Sequence, residues 1–185
     1  MTHLSALGVL VFLVAPSQDP LVAPVPQTAE ARMELAGGVA HDAAVMGFVQ
    51  AKNDQQESAA DIQKRDARWK SGGEVELRKE TTTGPCADRL RALTKGDPFV
   101  LEAFLMDAQG ALVCATHETS GYWQGDEAKW QKPVKDGLEA CVDEPAFDES
   151  TQSYALQLSV PVQRGGARIG ALTFTLKVPR PTPSK

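Results

Sequence analysis

Residues 154–178 read YALQLSVPVQRGGARIGALTFTLKV, and this stretch decides the fold. Tyr154, Leu156, Leu158, Val160 and Val162 alternate with more polar neighbours, and Leu172, Phe174, Leu176 and Val178 do so again beyond Gly165-Gly166. A period of two puts each apolar set on one side of a strand, and a Gly-Gly pair between two such runs is hairpin chemistry. Two long antiparallel strands, each buried on one face, are expected. Pro161 falls inside the first of them and, lacking an N–H, requires a bulge or an open edge there.

Upstream the same signals recur. Phe99–Met106 and Ala111–Thr116 flank the turn residues Asp107-Ala-Gln-Gly110, which predicts a second hairpin, and Leu138–Val142 reads as a short edge strand between the two. Residues 117–136 form a non-strand insertion. The acidic stretch Asp143–Glu149 lacks the alternating oxygen ligands and fixed glycine of an EF-hand loop and reads as a solvated turn. The first half of the chain has helical periodicity. Leu35, Val39, Ala43, Met46 and Val49 predict one long amphipathic helix from Thr28 to about Gln50, loosened at Gly37-Gly38. Asn53 with Gln56 resembles a capping box, so a second helix is expected from there to Lys70, with Ile62, Asp66 and Trp69 on one face and Gly72-Gly73 at its end. A shorter helix, Ala87–Lys95, is closed by Gly96. Helices first and strands afterwards predict a single α+β domain over residues 27–178. Its sheet is expected to have five mostly antiparallel strands, with the long N-terminal helices packed on one face.

The 185 residues suffice for one domain with extensions, and 42% hydrophobic against 23% charged residues excludes a disordered chain or a multi-span membrane protein. With 19 Lys+Arg against 24 Asp+Glu the net charge is −5, which gives no general footing on a phosphate backbone, so nucleic acid is not an expected partner. Leu4–Ala15 (LSALGVLVFLVA) has the length of a signal-peptide apolar region, and Pro16–Pro26 is a Pro-rich leader. Residues 1–26 are expected to be a signal and leader, cleaved after Ala15 or Ala23. The rest is then periplasmic or secreted, with no stable membrane span; a buried first strand or helix is the other reading of the apolar run. Residues 179–185 are a polar tail. Cys86, Cys114 and Cys141 show no metal-ligand spacing. One pair can form a disulfide, without indication of which, or Cys114 and Cys141 can be small buried hydrophobes.

No GxSxG elbow, HExxH pair, Walker A loop or GxGxxG turn is present, and His41 and His117 are isolated. No enzyme, catalytic residue, metal site or cofactor is expected. The informative segment is residues 117–136, HETSGYWQGDEAKWQKPVKD, which gathers Tyr122, Trp123 and Trp130 beside Glu118, Asp126 and Glu127. A loop with glycine pivots, aromatic walls and a few fixed polar groups suits a small-molecule site, and aromatic faces beside carboxylates suit an amine-bearing ligand. Alternatively the two Trp rings fasten the loop to the sheet while the acids face water.

The ordered elements Met106-Asp107 with Gly110, Thr119-Ser120-Gly121-Tyr122, Gln124-Gly125-Asp126-Glu127-Ala128-Lys129-Trp130, Ser159-Val160-Pro161-Val162 and Ile169-Gly170 resemble the extracytoplasmic PDC (PhoQ-DcuS-CitA) sensor domains of the Cache superfamily, a PAS-like fold. Asn53 and Asp66-Ala-Arg-Trp69 are similar to the end of the long first helix of such domains. The likeness covers about residues 28–178, and Gly121 departs from it where an Asp is common. It implies an extracytoplasmic domain that binds a small metabolite between the sheet and the 117–136 segment. Trp69, Tyr122, Trp123, Gln124, Asp126, Glu127 and Trp130 are the implied ligand-binding residues. Since the sequence stops after its last strand, signal transduction through a separate signalling protein is expected. The other function class is a structural or interaction module of the cell envelope with the same fold and a pocket filled by its own side chains.

Overall fold

The computed structural model describes residues 27–148 and 151–179. The signal-like run Leu4–Ala15, the Pro-rich leader and the tail from Arg180 onward lie outside the described residues.

The single helix expected over residues 28–50 is three pieces, α1 (Gln27–Glu30), α2 (Met33–Ala40) and α3 (Ala43–Asn53). The break falls at Asp42 and not at Gly37-Gly38, both of which lie within α2. Asp42 is extended (ψ 130°) and its Oδ1 accepts the N–H groups of Ala44 and Val45 at 3.1 and 3.2 Å, so it restarts the helix as an N-cap. A hydrogen bond from Arg89 holds the Asp42 carboxyl below the usual carboxylate range. The next helix, α4 (Ala59–Lys70), begins five or six residues later than the Asn53 pattern suggests, because Ser58 is its cap and accepts the Asp61 N–H at 3.2 Å. Asn53 instead ends α3. Its amide donates to Ile169 O at 2.8 Å and accepts the Ala108 N–H at 2.9 Å, tying the helix end to two distant turns. A further helix, α5 (Val75–Thr83), precedes α6 (Pro85–Thr94), where Pro85 occupies a first-turn position that needs no N–H.

The strands are β1 (Val100–Met106), β2 (Leu112–Ala115), β3 (Cys141–Val142), β4 (Ala146–Asp148), β5 (Ser153–Arg164) and β6 (Ala167–Lys177). They form one antiparallel sheet in the order β2-β1-β6-β5-β3, with β4 also pairing β5, so the long hairpin occupies its centre in the expected PAS-like arrangement. There are six described strands and not five. Ala146–Asp148, inside the stretch expected to be a turn, pairs with Ser153–Ala155, and Phe147 meets Tyr154 edge-on at 5.6 Å. The expected strand Leu138–Val142 shrinks to β3. Pro161 sits beyond Leu158 and Ser159, the part of β5 that β3 covers, and a bulge follows at Val162/Gln163.

Alternation divides the core between the two faces of the sheet. Leu156, Leu158, Val160, Leu172, Phe174 and Leu176 pack with Val39, Val45, Val49 and Leu90 of α2, α3 and α6. Phe104, Met106, Leu112 and Ala171 face the other way, against Ile62 and Trp69 of α4 and Tyr122 and Trp130 of the 117–136 segment. The helices are therefore not all on one face: α4 joins the opposite side. Each fully buried Leu, Ile or Phe contributes about 1.5–3 kcal/mol. A disulfide between Cys86 and Cys114 (Cα–Cα 5.9 Å) ties α6 to β2, and Cys141 is a buried free thiol.

Candidate functional site

The 117–136 segment contains a short helix, α7 (Ala128–Trp130), and a π-helical turn, Gln131–Lys135, and it is bolted down at each end. Asp66 of α4 does most of this. Its Oδ1 accepts the N–H groups of Tyr122 at 2.9 Å and Trp123 at 3.1 Å, while Lys70 pairs with its other oxygen at 2.7 Å. Gly110 and Gly125 form a second fastening. A Cβ on Gly110 would lie 2.4 Å from Gly125 Cα, so the two backbones cross at a distance only glycines allow. At the far end Arg168 of β6 donates to the carbonyls of Pro133, Gly137 and Leu138.

The aromatic residues of the segment pack inward. Trp69 and Tyr122 are fully buried, with ring centroids 5.9 Å apart, and Trp130 is 4% exposed. Each polar tip has a partner. Trp69 Nε1 donates to Thr119 O, Trp123 Nε1 to Gln109 O, Trp130 Nε1 to Asp107 O and Tyr122 Oη to Glu57. Asp126 is exposed, and Glu127 pairs with Lys129 at 2.8 Å.

Glu57 is the hub of a charged cluster under Tyr122, pairing with Lys52 at 2.8 Å and Arg65 at 2.8 Å. Burial alone would raise its carboxyl, but Lys52, Tyr122 and Arg65 outweigh burial and hold it below the usual value of 4.5. An acid with a lowered folded-state pKa adds stability that is fully present above the unfolded value and disappears as pH falls through the folded one. Stability is thus expected to decline as pH drops below about 4.5, and Glu57→Gln should flatten that decline in urea unfolding measured from pH 6 to pH 3. Asp107 has the opposite sign, since burial pushes its carboxyl up despite the N–H groups of Gln109 and Ala111 that it accepts.

Between the segment and the second face of the sheet lies a cavity of about 260 Å³. Its floor is Glu102 and Phe104 of β1 with Gln157 of β5; Asp148 of β4 closes one side. Glu118, Thr119, Ser120 and Gln124 form the rim, and Lys129 of α7 reaches in from above. Gln124 is the one residue of the seven expected from the sequence that lines this cavity; Trp69, Tyr122, Trp123 and Trp130 frame the segment around it. The Gln124 side chain is fixed by donation to Gly121 O at 2.8 Å. Lys129 is 8% exposed, with its ammonium 5.3 Å from the Phe104 ring. Thr175 of β6 donates to Glu102 at 3.3 Å, and Glu118 pairs with Arg78 of α5. The lining residues thus bring three carboxylates, one of them paired with Arg78, and one ammonium to the cavity. Sequence reasoning passed over Glu102, Asp148 and Gln157. The available signal was the polar phase of the strands: Glu102, Gln157, Ser159, Thr173 and Thr175 alternate with the apolar core set.

No family model matches the chain, and no curated protein matches it. Among solved structures it is similar to the sensor domain of the V. cholerae histidine kinase DctB, at 9% identity over 82% of this chain and 51% of that one, with a TM-score of 0.44. It is similar also to the ligand-binding domain of the Pseudomonas aeruginosa amino acid chemoreceptor PctC in complex with GABA, at 17% identity over 60% and 55% of the two chains and a TM-score of 0.41. For the Campylobacter jejuni chemoreceptor Tlp3 ligand-binding domain with 4-methylisoleucine the values are 13%, 82%, 59% and 0.39. The chain thus spans between half and three fifths of the length of these structures.

Proposed function

We propose that the protein is an extracytoplasmic sensor domain that binds a small amine-bearing metabolite in the cavity between the sheet and the 117–136 segment. The observation that carries this reading is the lining itself: Glu102, Glu118 and Asp148 surround the space, and Phe104 supplies an aromatic face on the floor. Carboxylates bind an ammonium through charge-assisted hydrogen bonds, and an aromatic face adds cation–π attraction. Lys129, nearly buried above that floor and paired with Glu127, suits a carboxylate or hydroxyl at the other end of such a ligand. The volume lies just below the ~300 Å³ at which pockets for drug-sized ligands begin, which favours a compact metabolite. Gln124 is a direct contact, and Trp69, Tyr122, Trp123 and Trp130 keep the rim in place. The Cys86–Cys114 disulfide supports an oxidising compartment, as expected for an exported domain. The bound state is passed to a separate signalling protein.

Thermal unfolding against a panel of amino acids, amines, organic acids and nucleobases tests this. At a hundredfold excess over Kd a ligand that binds only the folded state adds about 2.7 kcal/mol, which for a domain of this size is a rise in Tm of roughly 5–10 °C. The rise is expected with amine-bearing compounds, and Glu102→Gln should abolish it while leaving the Tm of the free protein within a few degrees. A flat response across the panel would favour the interaction module, a reading to which the inward packing of Trp69 and Tyr122 lends support.

A further inference from the structure

Arg78 of α5 bridges the cavity rim and the α4–α5 junction. Its guanidinium pairs with Glu118 on the cavity rim, donates through Nε to Gly73 O at 2.9 Å and through Nη2 to Trp69 O, and lies 4.5 Å from the centre of the Trp69 ring. Trp69 O is among the last carbonyls of α4, where intrahelical donors run out and the helix dipole favours a cation. The turn from α4 to α5 is otherwise held by the Gly72 and Gly73 amides on Trp69 O and Arg68 O and by Glu74, which pairs with Arg68 and Arg65. Gly72 has φ +85°, and Glu74, a non-glycine residue at φ +56°, opens α5 without a side-chain cap. Trp69 returns the connection to the rim, because its Nε1 donates to Thr119 O at 2.9 Å. Glu118, Arg78, Trp69 and Thr119 therefore form a closed ring with one side on the cavity and the other on the α4–α5 junction.

We propose that Arg78 is a positioning residue that couples occupancy of the cavity to the α4–α5 junction. A ligand ammonium that engages Glu118 withdraws the carboxylate from Arg78. The guanidinium then holds the Trp69 and Gly73 carbonyls without its anionic partner, the junction loosens, and α5 becomes the surface on which occupancy is read. Coupling of this kind is reciprocal, so disturbing either end must be felt at the other. The proposal rests on the cavity being the ligand site, but the link between rim and junction is testable with no ligand present.

The experiment is amide hydrogen exchange on the full chain, comparing wild type with Glu118→Gln and with Arg78→Gln. Glu118→Gln imitates loss of the carboxylate to a ligand. The amides of Gly72, Gly73 and Arg78, which donate to Trp69 O, Arg68 O and Glu74 O, are expected to exchange about two- to fivefold faster, as suits a pair whose Glu118 side chain is 56% exposed, while those of β5 and β6 keep their wild-type rates. Arg78→Gln is expected to accelerate the Tyr122 and Trp123 amides held by Asp66 by a similar factor. Acceleration confined to residues 117–120 would overturn the coupling. An equal acceleration throughout, β5 and β6 included, would reduce the pair to an ordinary stabilising contact and overturn it as well. A flat ligand panel leaves these rates unchanged, so failure of the sensor reading and failure of the coupling are separable.

Discussion

Asp66→Ala is expected to lower the unfolding free energy by about 3 kcal/mol, a large share of the 5–15 kcal/mol that holds a domain folded. The side chain is 7% exposed, and its Oδ1 serves two backbone N–H groups in a place that water does not reach readily. Alanine leaves both donors without an acceptor, at about 1–3 kcal/mol each when buried. The Lys70 partner adds little, since its side chain is 57% exposed and an ion pair of that kind is worth at most about 1 kcal/mol. Asp66→Asn separates the two contributions, because an amide oxygen still accepts from Tyr122 and Trp123 while the charge is gone. Urea unfolding should give a loss near 1 kcal/mol for asparagine and the full loss for alanine. Equal losses for the two variants would mean that charge, and not the two N–H groups, anchors the segment.

Gly170→Ala is expected to be worse, at about 4 kcal/mol or more, with a fall in Tm of roughly 8–16 °C. A Cβ at this position would lie 2.1 Å from the carbonyl oxygen of Met106 and 2.9 Å from Val49 Cγ1. The first obstacle is backbone of the adjoining strand, so relief requires β1 and β6 to separate at the middle of the sheet. The second belongs to α3, which is packed on the same spot. Differential scanning calorimetry on the purified variant measures the change. A fall in Tm of less than 4 °C would show that the two strands yield more readily than their register implies.

Legibility in the sequence followed the strength of the periodic signal. The hairpin of residues 154–178 was readable because nine apolar residues keep one phase across twenty-five positions, and the observed strands end within a residue or two of the expected limits. The break at Asp42 was obscured for a related reason. Val39, Met46 and Val49 keep a helical phase through it, so the capping aspartate was outweighed by the pattern around it. Helix α5, VELRKETTT, carries no apolar stripe; among its residues Thr81 is the buried one, and Leu77 alone packs, partly buried, against the core on the second face of the sheet. β4 is three residues long and acidic on either side, too short for any alternation to register. The candidate site was readable as a region and not as a set of residues. Aromatic enrichment marked the 117–136 segment, yet the rings satisfy one another and the backbone, and the polar groups that complete the lining come from three other places along the chain, β1, β4 and β5. Assembling them requires the register of β1 against β6 and of β6 against β5, which no local pattern supplies.

Cys141 gives the molecule a problem of timing. A chain with three thiols has three ways to make its first bond under oxidising conditions, and one of them joins Cys86 to Cys114. The other two consume Cys141, which must end up reduced at the sheet edge, paired through its backbone with Ser159. Once β3 has docked, that thiol is sealed off, and burial pushes it up and away from the reactive thiolate form. The protection is earned by folding and is absent beforehand. Correct maturation then depends on an ordering of events, with the helix that carries Cys86 meeting the strand that carries Cys114, or β3 closing over Cys141, before an oxidant arrives.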